Sequence, residues 1–362
     1  MSGLESAREK INEIDKKMEK LFEERMMISK EIALYKREKG LSVKDHAREE
    51  EMIKRNRGLV DNKEIEGYYV DFLRSIVNLS CSYQEKVMEG IRVAYSGVEG
   101  AFAHIAAKKL FPNAEFVPYS DFSRAYKAVE EGKEDCVVLP IENSFAGDVG
   151  TVMDLMFFGD LFVNQVTDID IEQNLIGIKG ASLETIKTVV SHPQALEQCD
   201  EFIESRGLEE VTYSNTALAA KYVKEKNDKS IAAIASHETA ELYGLDIIER
   251  GINTSSNNTT RFAAFSRSQN KPVLVGKRDN ENFILVFTVR NEAGALAQTL
   301  NIIGAHGFNM RSLRSRPMKD LLWSYYFYIE AEGNINTQNG EDMLRELSVF
   351  CAKLKLVGSY LD

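Results

Sequence analysis

Residues 134–144 read EDCVVLPIENS: an apolar β run that ends abruptly in Glu142, Asn143 and Ser144. Polar side chains at the C-terminal end of such a strand lie where α/β folds bind ligands. Similar apolar runs recur on both sides, at IRVAYS (91–96), LFVNQVT (161–167), IKTVVS (186–191), EVTYS (210–214) and SIAAIAS (230–236), with helical stretches between them. Residues 91–267 are therefore expected to form an α/β region.

Working outward, residues 268–281 (SQNKPVLVGKRDNE) read as a linker. From Asn282 the pattern is strand (FILVFTV), helix (GALAQTLNIIGAHG), strand (FNMRSLRSR), strand (WSYYFYIEAE), helix (GEDMLRELSVFCAKL) and strand (LVGSYL). That order is the ferredoxin-like split, so residues 282–362 are expected to be α+β. In the other direction, residues 1–90 have no proline and carry 18 Lys+Arg and 19 Asp+Glu, which points to long helices with little enclosed core. With 362 residues, two or three domains are expected.

The whole chain is 44% hydrophobic and 28% charged, with net charge −11. This is globular composition. The negative balance argues against nucleic acid or an anionic membrane as the main partner, while leaving small anions open to local cations. No apolar run reaches the roughly 18 residues of a spanning helix. The opening MSGLESAREKINEIDKK lacks the apolar core of a signal peptide. Cys81, Cys136, Cys199 and Cys351 are far apart and form no CxxC pair. They read as reduced thiols of a cytoplasmic protein, without a zinc framework.

The N-terminal helices place polar residues where apolar ones belong. Leu4, Ala7, Ile11, Ile14, Met18, Leu21, Ile28, Ile32 and Tyr35 are spaced by threes and fours, and the missing step is Arg25. Such a stripe needs a covering partner, and a buried guanidinium needs an anion. Arg8 and Lys36 flank the same stripe. A second helix starts near Asp45, a good N-cap, with Arg48 and Glu49 in its first turn. A third carries Ile65, Tyr69, Phe72, Ile76, Tyr83 and Val87, with Ser80 in the gap and Gln84 one turn on. One reading is a dimerisation bundle with internal salt bridges, such as Arg25 to Glu49. The other is a site for a small dicarboxylate, because the cations outnumber the inward acids.

AREKI (7–11), EERMMISKEIALYK (23–36), KDHAREEEM (44–52) and SCSYQ (80–84) resemble the all-helical chorismate mutase family in order. The resemblance implies an intertwined dimer in which each site takes Arg8 from the partner chain. It implies that Arg8, Arg25 and Arg48, with Ser80, hold the two carboxylates of chorismate. Lys36 and Gln84 would donate to the ether oxygen, and Glu49 with the Asp45 backbone would bind the ring hydroxyl. The rearrangement is pericyclic, so such a site needs charge stabilisation and no base.

In the central region, YSGVEGAFAHIAA (95–107) is a strand, a Gly97/Gly100 turn and a helix whose first N–H groups suit an anion. Its spacing is not that of a dinucleotide fold. SHPQALEQC (191–199), SNTALAA (214–220) and INTSSNNTTRF (252–262) also place polar residues beside helices or strands. Taken singly these are ordinary: Ser, Thr and Asn before a helix are caps, and His192 and His104 read as structural. No His/Cys/carboxylate cluster has metal-ligand spacing. Taken together, LPIENSFAGDVG, SHPQALEQC, SNTALAAKY, AAIAS with ELYGL, and NNTTRF resemble prephenate dehydratase. That family has two α/β lobes built like type II periplasmic binding proteins. The resemblance implies Thr260 at the leaving hydroxyl, with Glu142 and Asn143 as further catalytic residues. Ser191, Gln198 and Ser214 would line the cleft, and Arg261 would either hold a carboxylate or brace the loop.

Residues 282–362 resemble an ACT domain. Gly294, Ala295 and Leu296 match its first phenylalanine-binding motif, and Arg316 belongs to the second, Glu-Ser-Arg-Pro. Here the second motif begins with Arg314, which changes the local charge by two units. The three resemblances follow the order of the bifunctional chorismate mutase–prephenate dehydratase family. They imply chorismate and prephenate as substrates, phenylalanine as effector, a homodimer or homotetramer, and no cofactor or metal. Rival readings are a cytosolic amino-acid sensor, a monofunctional dehydratase with an inactive helical region, and a dehydratase preferring arogenate.

Overall fold

The computed structural model describes residues 3–255, 257–269, 281–318 and 324–361. The chain divides into two compact units, Met1–Ile91 and Arg92–Asp362. Most of the expected linker, residues 270–280, lies outside the described residues, and Glu281 already belongs to a strand.

The first unit is three helices: α1 (Gly3–Lys39), α2 (His46–Arg57) and α3 (Glu66–Val87). Helix α1 runs 37 residues, with Glu5 in its first turn and Lys36, Arg37 and Lys39 in its last, both favourable to the helix dipole. It packs along α3, and α2 also packs on α3. Only the small residues Ser29 and Ala33 of α1 are buried, opposite Leu73 and Val77 of α3. Most of the apolar stripe, including Leu4, Ile11, Ile14, Met18, Leu21 and Ile28, is exposed in the single chain, while Ile32 is half-buried.

The second unit begins with β1 (Arg92–Ser96), α4 (Phe102–Leu110), β2 (Glu115–Tyr119), α5 (Phe122–Glu130), β3 (Cys136–Asn143), β4 (Gly147–Asp148), α6 (Gly150–Phe158) and β5 (Phe162–Asp170). The chain then crosses to a second lobe made of β6 (Asn174–Gly177), β7 (Thr188–Ser191), α7 (Pro193–Glu197), α8 (Asp200–Arg206), β8 (Glu209–Thr212), α9 (Thr216–Lys226), β9 (Ile231–Ala235), α10 (His237–Tyr243) and β10 (Asp246–Glu249). It returns in β11 (Thr259–Ser266). The second-lobe sheet has the order β10-β6-β9-β7-β8. Two crossovers thus join two α/β lobes. They are tied to each other: Asn253 Nδ2 donates to the Ile171 carbonyl at 2.9 Å, and the Gln173 N–H to Asn253 Oδ1 at 2.7 Å.

The C-terminal module is β12 (Glu281–Val289), α11 (Ala295–Ala305), β13 (Asn309–Pro317), β14 (Tyr325–Glu332), α12 (Gln338–Phe350) and β15 (Cys351–Leu361). Its strand order, β13-β14-β12-β15, is ferredoxin-like. The sequence pattern carried the second helix through Leu354. Instead α12 stops at Phe350, and Cys351–Leu354 pair with β12 from Val289 to Phe287.

This module shares both a sheet and a core with the first lobe. Phe283, Leu285 and Phe287 of β12 pack under its own helices, beside Ile303 and Leu347. The alternate residues Ile284 and Val286 pack in one cluster with Met153, Met156 and Phe157 of α6. Both faces of β12 are buried, which accounts for its unbroken apolar run. Lys353 and Lys355 of β15 donate to the carbonyls of Phe157 (2.8 Å) and Met156 (3.0 Å), groups left open at the end of α6. Burial lowers Lys355 to a pKa of about 8.

The two sheets join where Gly358 of β15 lies against Val163 of β5. A side chain at 358 would collide with the backbone of Val163. Gly358→Ala should therefore destabilise the second unit by about 3 kcal/mol, the upper range for overpacking. Thermal unfolding of the full chain checks this, and an unchanged transition would show that the junction yields.

Candidate active sites

In the first unit, Arg25 on α1 is half-buried and donates to Ser80 Oγ and, at 3.4 Å, to the Ile76 carbonyl. Burial works against its charge, opposed only by Cys81. Among the described residues no carboxylate pairs with Arg25, so the expected internal bridge to Glu49 is not formed. Glu49 instead accepts from Cys81 Sγ at 3.6 Å. Lys36 donates to the Val43 carbonyl. Its ammonium is disfavoured first by burial and further by Arg48, while the Asp45 and Glu49 carboxylates favour it. Arg25 thus meets Ser80, Lys36 lies near Asp45, Arg48 and Glu49, and Cys81 neighbours Arg25, Lys36 and Glu49. Gln84 is buried, and its Oε1 has no partner among the described residues. The Asp45 carboxylate is occupied in capping α2, where it accepts from the Arg48 N–H at 3.0 Å. Arg8 and Arg48 are exposed.

In the second unit the governing geometry is the antiparallel pairing of β3 with β11, in the register Thr260↔Asn143 and Arg261↔Glu142. Successive side chains of a strand point to opposite faces. Asn143 and Thr260 therefore share one face, and Glu142 and Arg261 share the other.

On the first face, Asn143 Oδ1 accepts from the N–H groups of Phe145 (3.0 Å) and Ala146 (2.8 Å). Its Nδ2 donates to Thr260 Oγ1 at 2.8 Å and to Asn258 Oδ1 at 2.8 Å. Thr260 thus receives a hydrogen bond, and its own proton is left to give.

On the opposite face the Arg261 fork is filled. Nη1 and Nη2 each lie 3.0 Å from a carboxylate oxygen of Glu330 on β14, and Nη2 also meets Tyr360 Oη at 2.7 Å. Burial opposes the charge of Arg261, and Glu330 more than offsets it. Burial likewise opposes the charge of Glu330, yet Arg261 holds that carboxyl below its usual range. Glu142 sits 3.5 Å from Arg261 and pairs closely with Arg314 of β13, which also binds Asp148 at 2.7 Å. In this geometry Arg261 braces the C-terminal sheet, the second of the two roles expected for it, and Glu142 is an ion-pair partner on the face away from Thr260.

The second lobe holds the remaining expected residues. Ser191 is fully buried and donates to the Ile234 carbonyl at 2.6 Å. Gln198 is buried and accepts from Gln173 Nε2 at 3.3 Å. Its own carbonyl takes the Thr254 N–H at 2.8 Å, which ties it to the return crossover. Ser214 is exposed, and the cap of α9 is its neighbour Asn215. Among the described residues no hydrogen bond joins Ser191 or Ser214 to the Thr260 cluster. The lobes touch at Gly100, whose carbonyl accepts from Thr239 Oγ1 at 2.9 Å. Gly100 has φ +89°, and a Cβ there would stand 3.0 Å from Leu242, so glycine is required. Its N–H is engaged by His104 Nδ1 at 3.2 Å, which removes one donor from the expected anion site.

In the C-terminal module Gly294 begins α11 with φ 84°, and Ala295 and Leu296 are half-buried. Arg316 is engaged elsewhere in the single chain. It forks onto Asp154 of α6 at 3.1 and 3.4 Å, and Tyr326 Oη shares that carboxylate at 2.7 Å. Arg314 and Arg316 alternate along β13 with exposed Leu313, Ser315 and Pro317, so both guanidiniums face the dehydratase-like lobe. Cys81, Asn258, Asp154 and Glu330 were not singled out from sequence. Only a pairing register, or contacts across some 70 to 170 residues, would have found them.

A three-helix unit whose half-buried Arg25 pairs with no acid among the described residues, and a two-lobed unit with a polar cluster at its crossover, fit an enzyme with two anion-handling sites. The comparisons agree. Family models match as chorismate mutase type II over residues 7–85, prephenate dehydratase over 93–270 and ACT domain over 283–348. The bifunctional chorismate mutase/prephenate dehydratase of Buchnera aphidicola is 30% identical over 98% of this chain and 95% of that protein. The arogenate dehydratase/prephenate dehydratase 2 of Arabidopsis thaliana is 33% identical over 76% of this chain and 74% of that protein. A prephenate dehydratase from Arthrobacter aurescens, solved in complex with L-Phe, superposes with a TM-score of 0.68 at 25% identity, covering 75% of this chain and 90% of that one. The chain belongs to the bifunctional chorismate mutase/prephenate dehydratase family. It is an isomerase and a lyase in one polypeptide, acting in aromatic amino acid biosynthesis.

Two predictions follow from the charges. The lowered pKa of Lys36 means that its ammonium is lost on raising pH earlier than for an ordinary lysine. Mutase kcat/KM should fall on the alkaline side within that lowered range, and Lys36→Arg should remove this limb; an alkaline limb unaltered in the variant would discharge Lys36 from the role. Glu330→Ala removes the bidentate partner of the half-buried Arg261, leaving it only the longer contacts to Glu142 (3.5 Å) and Asp168 (3.8 Å) and the Tyr360 hydroxyl. It should destabilise the second unit by about 3–5 kcal/mol, read by denaturant unfolding, with mutase turnover retained.

Proposed function

We propose that Thr260 donates its hydroxyl hydrogen bond to the departing hydroxyl of prephenate. The ring carboxylate leaves as carbon dioxide, and its bonding pair enters the ring and makes it aromatic. The hydroxyl at the far ring carbon leaves as water, its proton passing from Thr260 and being restored from solvent. No electrons are left over, so no redox partner is needed. The observation that supports this reading is the Asn143 amide, which is committed as donor to Thr260 Oγ1 and so leaves the threonine proton available. Asn143 and Gln198 complete this site in our reading.

In the mutase we assign Arg8 of a second copy, Arg25, Arg48 and Ser80 to the carboxylates, Lys36 and Gln84 to the ether oxygen, and Glu49 with the Asp45 backbone to the ring hydroxyl. Support comes from the unpaired charge of Arg25 and the unpartnered amide oxygen of Gln84. The exposed stripe on α1, with Leu21 64% exposed, favours a homodimer formed through these helices, with a tetramer as its further assembly. Among the described residues no helix is long and apolar enough to cross a membrane. We place the enzyme in the cytoplasm. Prephenate rather than arogenate is our proposed substrate, because the mutase unit of the same chain makes prephenate. Phenylalanine is the proposed effector, supported by the L-Phe complex of the Arthrobacter protein. It would bind near Gly294, Ala295 and Leu296.

Purified full-length protein given chorismate alone should yield phenylpyruvate without any cofactor. Thr260→Ala should instead accumulate prephenate, with dehydration down by about 100-fold or more. Near-normal phenylpyruvate formation by that variant would remove Thr260 from the mechanism.

A further inference from the structure

The orientation of the Thr260 hydroxyl depends on a residue two positions earlier. Asn258 is 5% exposed and lies on the crossover that returns from the second lobe. Its carbonyl accepts from the Ile171 N–H on the outgoing crossover at 2.7 Å, so its backbone is pinned at the hinge between the lobes. Its side chain meets the Asn143 amide at 2.8 Å.

The chemistry of these contacts fixes every donor. Backbone N–H groups only donate, so the Asn143 atom facing Phe145 and Ala146 is its carbonyl oxygen. The other terminal atom of Asn143 is then nitrogen, with two hydrogens. One goes to Thr260 Oγ1 and the other to Asn258, which must present its carbonyl oxygen. The Asn258 amide nitrogen is placed by elimination, buried and without a partner among the described residues. An unmet donor is a cost that folding alone would not retain.

We propose that Asn258 is a positioning residue of the dehydratase: from the hinge it locks the Asn143 amide, which in turn presents Thr260 with its proton free for the leaving hydroxyl. This rests on the role given to Thr260 above. Without the Asn258 acceptor, the Asn143 carbonyl stays on the Phe145 and Ala146 N–H groups, but its nitrogen loses one anchor and is free to swing from Thr260 Oγ1 toward the Thr259 carbonyl, which lies at 3.4 Å. The threonine hydroxyl would then lose the donor that fixes it, and its proton would no longer be held toward the substrate.

The test uses the full chain with prephenate as substrate, alongside Thr260→Ala. Asn258→Ala should lower dehydratase kcat by about 30-fold, the effect of one misdirected hydrogen bond, while KM changes by less than about threefold. Asn258→Asp keeps the acceptor oxygen and loses only the unpartnered donor. It should bring kcat back to within about fivefold of the parent, with KM raised by the added charge. Mutase turnover on chorismate and the unfolding transition of each variant report chain integrity. A purely structural role would lower the transition in both variants without separating their kcat values. Wild-type kcat in Asn258→Ala, or equal kcat losses in the Ala and Asp variants, would overturn the proposal while leaving Thr260 standing. Near-normal dehydration by Thr260→Ala would overturn the Thr260 reading, and with it the proposal.

Discussion

The second unit depends on one pairing, β3 against β11 in the register that sets Thr260 opposite Asn143 and Arg261 opposite Glu142. A strand pair has two faces, and this one uses both. One carries amides and a hydroxyl linked by hydrogen bonds. The other carries a guanidinium and a carboxylate facing the C-terminal sheet. A slip of one residue would exchange the faces, burying Thr260 against Glu330 and turning Arg261 into the cluster. The register is held by the short hairpin of β4, by the turn that Asn143 caps, and by β5 on the far side of β11.

The C-terminal module is consequently a wall of the dehydratase and not an appended domain. Its sheet continues that of the first lobe, and three ion-pair sets cross the junction: Arg261 with Glu330, Arg314 with Glu142 and Asp148, and Arg316 with Asp154. The departure of Arg314 from the family motif has its physical explanation here. Glu142 and Asp148 stand side by side on paired strands, and an acid at 314 would make a third like charge against them. An effector bound near Gly294 would act on catalysis through this wall, by favouring one arrangement of β13–β15 over another.

The fold was largely legible because it rests on periodicity. The β-α-β-β-α-β order of the last 81 residues and the three N-terminal helices came from spacing alone. The end of α12 did not, because Cys351–Leu354 fit a helical stripe and are strand only through pairing with β12, some 65 residues earlier. The site was legible in its residue types and less so in its faces. Glu142 and Asn143 are adjacent in sequence, yet a strand sends neighbours to opposite sides, and that alternation was available in the run VVLPIEN. The partner of Arg261 was not available: Glu330 lies 69 residues away in what reads as an ordinary strand. Ser191 looked like a ligand group because a strand ends there, but the adjacent β9 claims its proton.

The two sites also handle anions in opposite ways, and the chemistry accounts for the difference. A mutase keeps both carboxylates of its substrate and moves charge onto an ether oxygen. Fixed cations serve it throughout, and among the described residues Arg25 has no acid to neutralise it. A dehydratase must expel one carboxylate as neutral carbon dioxide. A guanidinium clamped on that carboxylate would stabilise the substrate more than the transition state, in which its charge is draining into the ring. Facing Arg261 away from Thr260, with its fork filled by Glu330, avoids that penalty. On the proposed role of Thr260, the cluster beside the leaving hydroxyl is neutral, and it would offer a proton where negative charge arrives without holding it where negative charge must depart.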